Sequence, residues 1–283
     1  MLILLPIAIQ ISQVTPQARQ QPTATADADE LASVPPADEI VVVGTRRARI
    51  ADMVKRLTGG SSAQIPRWNT SLCVVVRDVL PNRARYIADT IGKSARAVGV
   101  AVEGGSCSPN VEIIISGQAD TLVRQFLRRQ PSMFRDVARY GRPRSRDRAE
   151  LLDPEPVRWT IGTATETRLG VASRLSLPSR ENKERLLVVV DLARCSHVTL
   201  DQLSGYLTMV VLANPEHDSR GDRGSIMSLF NAPASGAKLN GLTDLDRSLI
   251  EALYATEERA SADSQRIAMT NHILRERAPG IRR

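Results

Sequence analysis

The sequence predicts a single mixed α/β domain of the α+β type, and three observations support this fold class. A strand–helix–strand pattern occupies residues 72–116, further strand-like segments extend to residue 192, and only helical patterns follow residue 196. The 283 residues include 42% hydrophobic residues, which is enough for a packed core. Because aromatic residues make up only 3%, aliphatic side chains must supply most of that core.

The first 26 residues have the character of a secretory signal segment. Residues 1–11 are mostly apolar, and Ala24-Thr25-Ala26 fits the small-x-small pattern of a cleavage site. This run is shorter than the ~18 residues that a membrane-spanning helix needs. We therefore expect a periplasmic or secreted protein that is not integral to the membrane; the alternative is a disordered apolar tail of a cytoplasmic protein.

Residues 27–51 predict a linker in front of a domain that spans residues 52–283. Residues 12–39 are rich in Gln, Thr, Ala, Pro and Asp, so the linker is expected to be disordered. Within it, Ile40–Val43 predicts a short buried or edge strand, or an extended segment that pairs with the sheet edge of a partner.

The first half of the domain predicts a βαβ unit. Strands are expected at 72–79 and 111–116, and helices at 81–98 and 119–129. Two strands joined by one helix over about 45 residues predict parallel neighbours with a right-handed connection. This unit fixes the start of one mixed sheet.

The second half predicts further strands and then helices. Strands are expected at 157–163, 170–176 and 186–192, the first two as a meander or edge hairpin and the last as a buried central strand. Helices are expected at about 200–213, 244–256 and 262–277, with a short turn near 225–230. Thr199…Gln202 and Thr243…Asp246 have the spacing of helix N-terminal caps.

The three cysteines predict one disulfide. Cys73 and Cys107 fall at the same end of neighbouring parallel strands, so a bridge between them is geometrically allowed. A bridge requires an oxidising compartment, which agrees with the signal-like start. Cys195 is expected to be a small buried hydrophobic residue; the alternative is a nucleophile assisted by His197.

The formal charge of +7 is concentrated in residues 124–148, which hold nine arginines and two aspartates. We interpret this stretch as a solvated helix face followed by an Arg-rich loop. The alternative is a surface that binds acidic lipid or nucleic acid through Arg142, Arg144 and Arg146. Nucleic acid is the less favoured partner, because few aromatic residues lie nearby for base stacking.

Two motifs near the end of the domain carry a resemblance to a known fold. Ser225-Ile-Met and the segment Leu242-Thr-Asp-Leu-Asp-Arg-Ser-Leu-Ile-Glu-Ala-Leu-Tyr254 follow the predicted central helix. With this order of elements, residues 70–278 resemble the zincin metalloproteases, particularly the metzincins, and a group of uncharacterised secreted bacterial proteins. The resemblance implies a zinc motif on the central helix, a methionine turn below the metal and a closing C-terminal helix.

The central helix departs from the zinc motif. Zinc hydrolysis needs two histidines one helical turn apart and a glutamate base. The corresponding residues run Asp201-Gln202-Leu203-Ser204-Gly205-Tyr206, and no two histidines of the chain have ligand spacing. We therefore expect no catalytic metal and no cofactor.

Two functions remain open at this point. The first is a binding or structural role, in which the cleft between the edge strand and the helix at 200–213 takes an extended polypeptide or another envelope component. The second is a hydrolase with a non-standard site formed by Asp201, Gln202, Tyr206 and His197. No residue pattern indicates the oligomeric state.

Overall fold

The chain forms four strands and seven helices within the residues that the structure, a computed structural model, describes. These residues are 37–59, 63–129, 144–168, 176–213, 215–216, 224–231 and 239–276. In chain order the elements are α1 (Ala37–Leu57), β1 (Val74–Arg77), α2 (Pro81–Ala97), β2 (Val111–Ser116), α3 (Ala119–Arg129), α4 (Arg144–Leu152), β3 (Val157–Thr167), β4 (Ser179–Asp191), α5 (Leu200–Leu212), a 3-10 turn (Ile226–Ser228), α6 (Asp244–Ala255) and α7 (Ala262–Glu276). None of these helices has the length and apolar character needed to cross a membrane.

The strands form one mixed sheet in the order β1-β2-β4-β3. β1, β2 and β4 are parallel, and β3 pairs antiparallel with β4 at the edge. The predicted βαβ unit and the central position of the strand at 186–192 are confirmed. The strand predicted at 170–176 falls almost entirely outside the described residues, and Ser176 is not in a strand.

The central strand β4 is longer than its apolar run. It begins at Ser179, because β3 continues to pair with it as far as Thr167. The added residues include Glu181 and Lys183, which are buried although their side chains are ionisable. The polar residues in these positions give no strand pattern in the sequence. The strand extends over them because their backbone pairs with β3.

The strand predicted at residues 40–43 is wrong, because these residues lie within α1. In the compact unit formed by residues 44–283, the later turns of α1 carry Ile50, Met53, Val54 and Leu57 at helical spacing. These side chains pack into the main hydrophobic core, and Met53, Val54 and Leu57 are buried. The packed region therefore includes residues before Asp52.

The sheet separates two layers of apolar packing. Leu186, Val188 and Val190 of β4 join the larger core, whereas Leu187 and Val189 join a smaller cluster with residues of α3 and α4. This alternation follows from the two-residue repeat of a strand. Both faces of β4 are therefore covered, as its continuous apolar run predicts.

The helix α5 is the centre of the larger core. Its residues from Leu203 to Leu212 are all buried, and only the first turn reaches solvent. The predicted cap at Thr199 and Gln202 is present as a reciprocal capping box. At the other end, the Lys183 ammonium donates to the carbonyl oxygens of Val211 and Leu212, each at 3.0 Å. These bonds satisfy carbonyl groups that a helix end otherwise leaves unpaired.

The predicted disulfide is formed between Cys73 and Cys107, whose Cα atoms are 6.0 Å apart. Cys73 precedes β1 and Cys107 precedes β2, so the bridge joins the same ends of two parallel strands. Cys195 is free and buried, as expected for a packing residue. Burial, together with the charge of Asp191, raises the pKa of its thiol to about 12, which makes the thiol a poor nucleophile.

Candidate functional site

An open groove of about 780 Å³ lies between α2 and α6. The first turns of α5 and the loop at residues 239–243 close one side of it. Ala97, Val98, Leu242 and Ile250 contribute apolar surface, and side chains with donors and acceptors are interspersed among them. We call this feature the α2–α6 groove; its volume lies within the range of sites that hold small ligands.

The loop at 239–243 reaches this position because α5 has a glycine where the two backbones meet. A Cβ atom added to Gly205 would lie 2.6 Å from the Leu242 nitrogen and 2.8 Å from the Gly241 carbonyl carbon. The Gln202 amide also donates to the Leu239 carbonyl at 2.6 Å. Gly205 and Gln202 thus hold the loop directly against α5 and shape the end of the groove.

A hydrogen bond connects α2 with α5 beside the groove. The exposed Tyr86 hydroxyl donates to the Asp201 carboxylate. This bond, with smaller contributions from burial and from the negative charge of Asp201, raises the pKa of Tyr86 above its ordinary value. The contact leaves a phenol and a carboxylate side by side on the groove wall.

Both signs of charge line the α2–α6 groove. Lys93 and Arg247 are basic, whereas Asp201, Asp244 and Glu251 are acidic. Arg247 forms an exposed ion pair with Asp244 at 2.8 Å on the same helix. This mixture does not favour a polyanion, because a negatively charged ligand would face three carboxylates.

The structure brings together only part of the predicted catalytic set. Asp201 and Gln202 lie at the groove end of α5, where both ends of the Gln202 amide are already hydrogen bonded. Tyr206 has no exposed surface and makes edge-to-face ring contacts with Trp159 and Phe230. His197 is exposed in the turn before α5. A substrate in the groove could reach Asp201 but not Tyr206.

The open groove does not lie where the sequence predicts a cleft. The expected cleft lay between the edge strand and the helix at 200–213, but Trp159 of β3 packs against Tyr206 there. Most of α5 is enclosed, and the groove uses only its first turns. Sequence reasoning did not identify Tyr86, Lys93 or Glu251, because each belongs to an ordinary amphipathic helix and carries no motif.

The segment that resembles a methionine turn is held by a buried carboxylate. Asp246 accepts hydrogen bonds from the Ser225 hydroxyl at 2.6 Å and from the Ile226 amide at 2.9 Å. It also accepts from the amide and the hydroxyl of Thr243, each at 2.9 Å. Asp246 therefore caps α6 and fixes the 3-10 turn, whose Met227 is fully buried.

The arginine-rich segment is described only in part. Arg124, Arg128 and Arg129 are exposed on α3, and Arg148 is exposed on α4. Arg144 and Arg146 belong to α4, and Arg142 falls outside the described residues. The opposite face of α3 is apolar and packs on the sheet, so the described arginines occupy its solvent face.

Within the described part of the chain, these features define a mixed α/β protein with one four-stranded sheet, one disulfide and an open groove between α2 and α6. Comparison of the chain with protein-family models, with curated proteins and with solved structures yields no match.

Proposed function

We propose that the protein is a periplasmic or secreted binding protein on a zincin-like scaffold without a catalytic metal in α5. Its ligand is a polypeptide segment that occupies the α2–α6 groove. The observation that carries this proposal is the lining of the groove, which combines apolar surface with donors, acceptors and charges of both signs.

A polypeptide matches this lining better than the other ligand classes considered. A peptide presents backbone donors and acceptors at regular spacing, and its side chains can meet both the apolar wall and the charged margin. Lys93 can pair with an acidic side chain, while Asp244 and Glu251 can pair with basic ones. A polyanion would gain contacts with the two basic groups only.

The scaffold part of the proposal rests on the order of elements. A sheet, a central buried helix, a turn with a buried methionine and C-terminal helices follow one another along the chain. This is the order on which the resemblance to zincins rests. In this chain the central helix contributes packing and one wall of a groove, with Asp201 at its accessible end.

The extracytoplasmic location rests on the disulfide and the signal-like start. The Cys73–Cys107 bridge is stable only in an oxidising compartment. Fractionation of cells that produce the full chain tests the location directly. We expect the protein in the periplasmic or secreted fraction with the bridge formed, and a cytoplasmic protein with three free thiols would contradict the proposal.

Peptide selection tests the ligand class. We expect a random peptide library to yield peptides that bind the wild-type protein, with affinity measured by fluorescence polarisation. Ser94→Trp fills the groove, because Ser94 lines it and its hydroxyl donates to the Thr90 carbonyl of its own helix. Binding should fall by about tenfold or more, corresponding to about 1.4 kcal/mol.

The matched control places the same side chain on the same helix outside the groove. Asp89 is exposed on α2 and does not line the groove. Asp89→Trp should leave peptide affinity unchanged. If both tryptophan variants bind like the wild type, or if no peptide is selected, the groove is not a peptide site.

An anionic surface is the second candidate, and the exposed arginines of α3 favour it. Arg124, Arg128 and Arg129 could attract acidic lipid headgroups. Binding to vesicles that contain phosphatidylglycerol should then weaken steeply with salt, and Arg128→Glu with Arg129→Glu should reduce it. Binding that is unaffected by these changes would remove this surface from consideration.

The hydrolase alternative receives less support from the geometry, because Tyr206 is enclosed and Gln202 is engaged in capping. It predicts peptidase activity that Asp201→Ala abolishes. Activity that persists in Asp201→Ala would exclude this carboxylate as the catalytic group.

A further inference from the structure

Three metal-ligating side chains meet where α6 packs against α7. His272 and Glu276 are four positions apart on α7, so they share one face of that helix. Glu251 on α6 approaches the same point. One ligand atom of each residue lies within 4.8 Å of the other two.

The spacing of these atoms suits a metal ion. His272 Nε2 is 3.1 Å from Glu276 Oε1. Zinc bonds of about 2.0–2.2 Å in a tetrahedral arrangement place ligand atoms about 3.3 Å apart. One pair therefore already has ligand spacing, and a carboxylate oxygen of the exposed Glu251 lies within 4.8 Å of both ligand atoms.

The histidine nitrogen gives an independent indication. His272 Nε2 is closed to solvent, yet it makes no hydrogen bond with any residue that the structure describes. The contact with Glu276 at 3.1 Å is close enough for an ion pair but lacks hydrogen-bond geometry. Because this geometry leaves the buried ring nitrogen without a hydrogen bond, a metal ion held between the imidazole and the carboxylate would satisfy the nitrogen.

We propose that Glu251, His272 and Glu276 bind a divalent transition-metal ion of the zinc type. One imidazole and two carboxylates form a donor set that favours such ions over Ca²⁺ and Mg²⁺, which prefer oxygen ligands alone. Three protein ligands leave a further position for water. Glu251 also lines the α2–α6 groove, so this site lies at the groove margin.

This site is separate from the position that the zincin resemblance concerns. There the metal would be held by the central helix α5, whereas the proposed ligands belong to α6 and α7. The inference stands without a peptide in the groove, because it depends only on the three side chains.

Isothermal titration of the full chain tests the proposal, with ZnCl₂ as the probe after removal of metal by EDTA. We expect one zinc ion per chain, and a loss of affinity of more than about tenfold in His272→Ala and in Glu276→Gln. Bound Co²⁺ should show visible absorption that disappears in the same variants. Circular dichroism of the metal-free variants verifies that they fold. Glu251→Gln is the variant of the third proposed ligand, and it changes only an exposed side chain.

Two control variants locate the ion. His197→Ala removes an exposed histidine elsewhere, and Asp201→Ala removes the carboxylate of α5 that faces the groove. Both should retain zinc affinity. The proposal is overturned if the wild type binds no zinc, if His272→Ala binds it as well as the wild type, or if Asp201→Ala abolishes binding.

Discussion

At the scale of single residues, Gly205 shows how one missing side chain shapes the groove. The backbone at Gly241 and Leu242 occupies the space that a Cβ atom would need. Backbone atoms cannot swing aside as the end of a long side chain can. A larger residue at position 205 would therefore push the loop away from α5.

Gly205→Ala should lower the free energy of unfolding by about 1–3 kcal/mol. Urea denaturation measures this change. Gly117→Ala is the matched control, because a Cβ atom there meets nothing within 4 Å. A loss of stability that is equal in the two variants would show that loop contact is not the cause.

Lys183 is a second residue whose environment has a measurable consequence. It is fully buried, and burial lowers the pKa of its ammonium well below the ordinary value of 10.5. In the unfolded chain the ammonium keeps its proton up to that value. At pH values between the lowered pKa and 10.5, the unfolded state therefore binds more protons than the folded state does. The contribution of Lys183 to the free energy of unfolding rises with pH in this range.

Comparison of the wild type with Lys183→Met tests this linkage. The wild type should gain stability relative to the variant as pH rises toward 10.5, by at most about 1.4 kcal/mol per pH unit. Urea denaturation at several pH values measures the difference. Lys93→Met changes an exposed lysine and serves as the matched variant for lysine removal. A stability difference between the wild type and Lys183→Met that does not change with pH would contradict the assigned environment.

At the scale of elements, Asp246 links α6 to the 3-10 turn. Its two carboxylate oxygens accept four hydrogen bonds in a fully buried position. In Asp246→Asn an amide NH₂ group would face one or more of these donors and the negative charge would be lost. We expect a destabilisation of about 3 kcal/mol.

Asp244→Asn provides the control for that change. Asp244 lies on the same first turn, but its side chain is 94% exposed. Its substitution should change stability by less than about 0.5 kcal/mol. Thermal and urea denaturation of both variants measure the contrast, and a small effect of Asp246→Asn would mean that the buried network contributes little.

Local patterns predicted most helices correctly. The helices at 119–129 and 200–213 have clear apolar faces or caps, and the structure forms them at almost the same bounds. The strand predicted at 40–43 is wrong, because the helical repeat of apolar residues that begins at Ile50 outweighs the local β-branched run. The first residues of β4 could not be predicted as a strand, because they are polar and lack an apolar pattern. They join the strand through backbone pairing with β3.

The candidate sites could be predicted only in part. Capping at Thr243 and Asp246 was visible as a local spacing, but the bond from Ser225 to Asp246 joins residues 21 positions apart. His272 and Glu276 lie four positions apart, which is a local sequence signal for a shared helix face. Glu251 could not be added from sequence, because only the packing of α6 on α7 brings it near.

At the scale of the whole molecule, the Cys73–Cys107 bridge restrains the sheet. It joins residues that are 34 positions apart, and closure of such a loop stabilises the fold by about 3–4 kcal/mol. In the double variant Cys73→Ser, Cys107→Ser, the free energy of unfolding measured with urea should fall by about this amount. Cys195→Ala is the control, because it removes a cysteine and leaves the bridge intact.

A thiol assay verifies the bridge independently. The native wild type should expose no reactive thiol, because Cys195 is buried and its thiol has a pKa of about 12. Denaturation without a reductant should release one thiol per chain. Three thiols under those conditions would show that the bridge does not form.

The most direct test of the binding proposal is to map a selected peptide on the full chain by amide NMR. The account predicts shift changes at α2 residues around Thr90 and Ser94, at the 239–243 loop and at the first turns of α6, with α3 and α4 unaffected. Changes confined to α3 and α4 would contradict the claim that the α2–α6 groove is the ligand site.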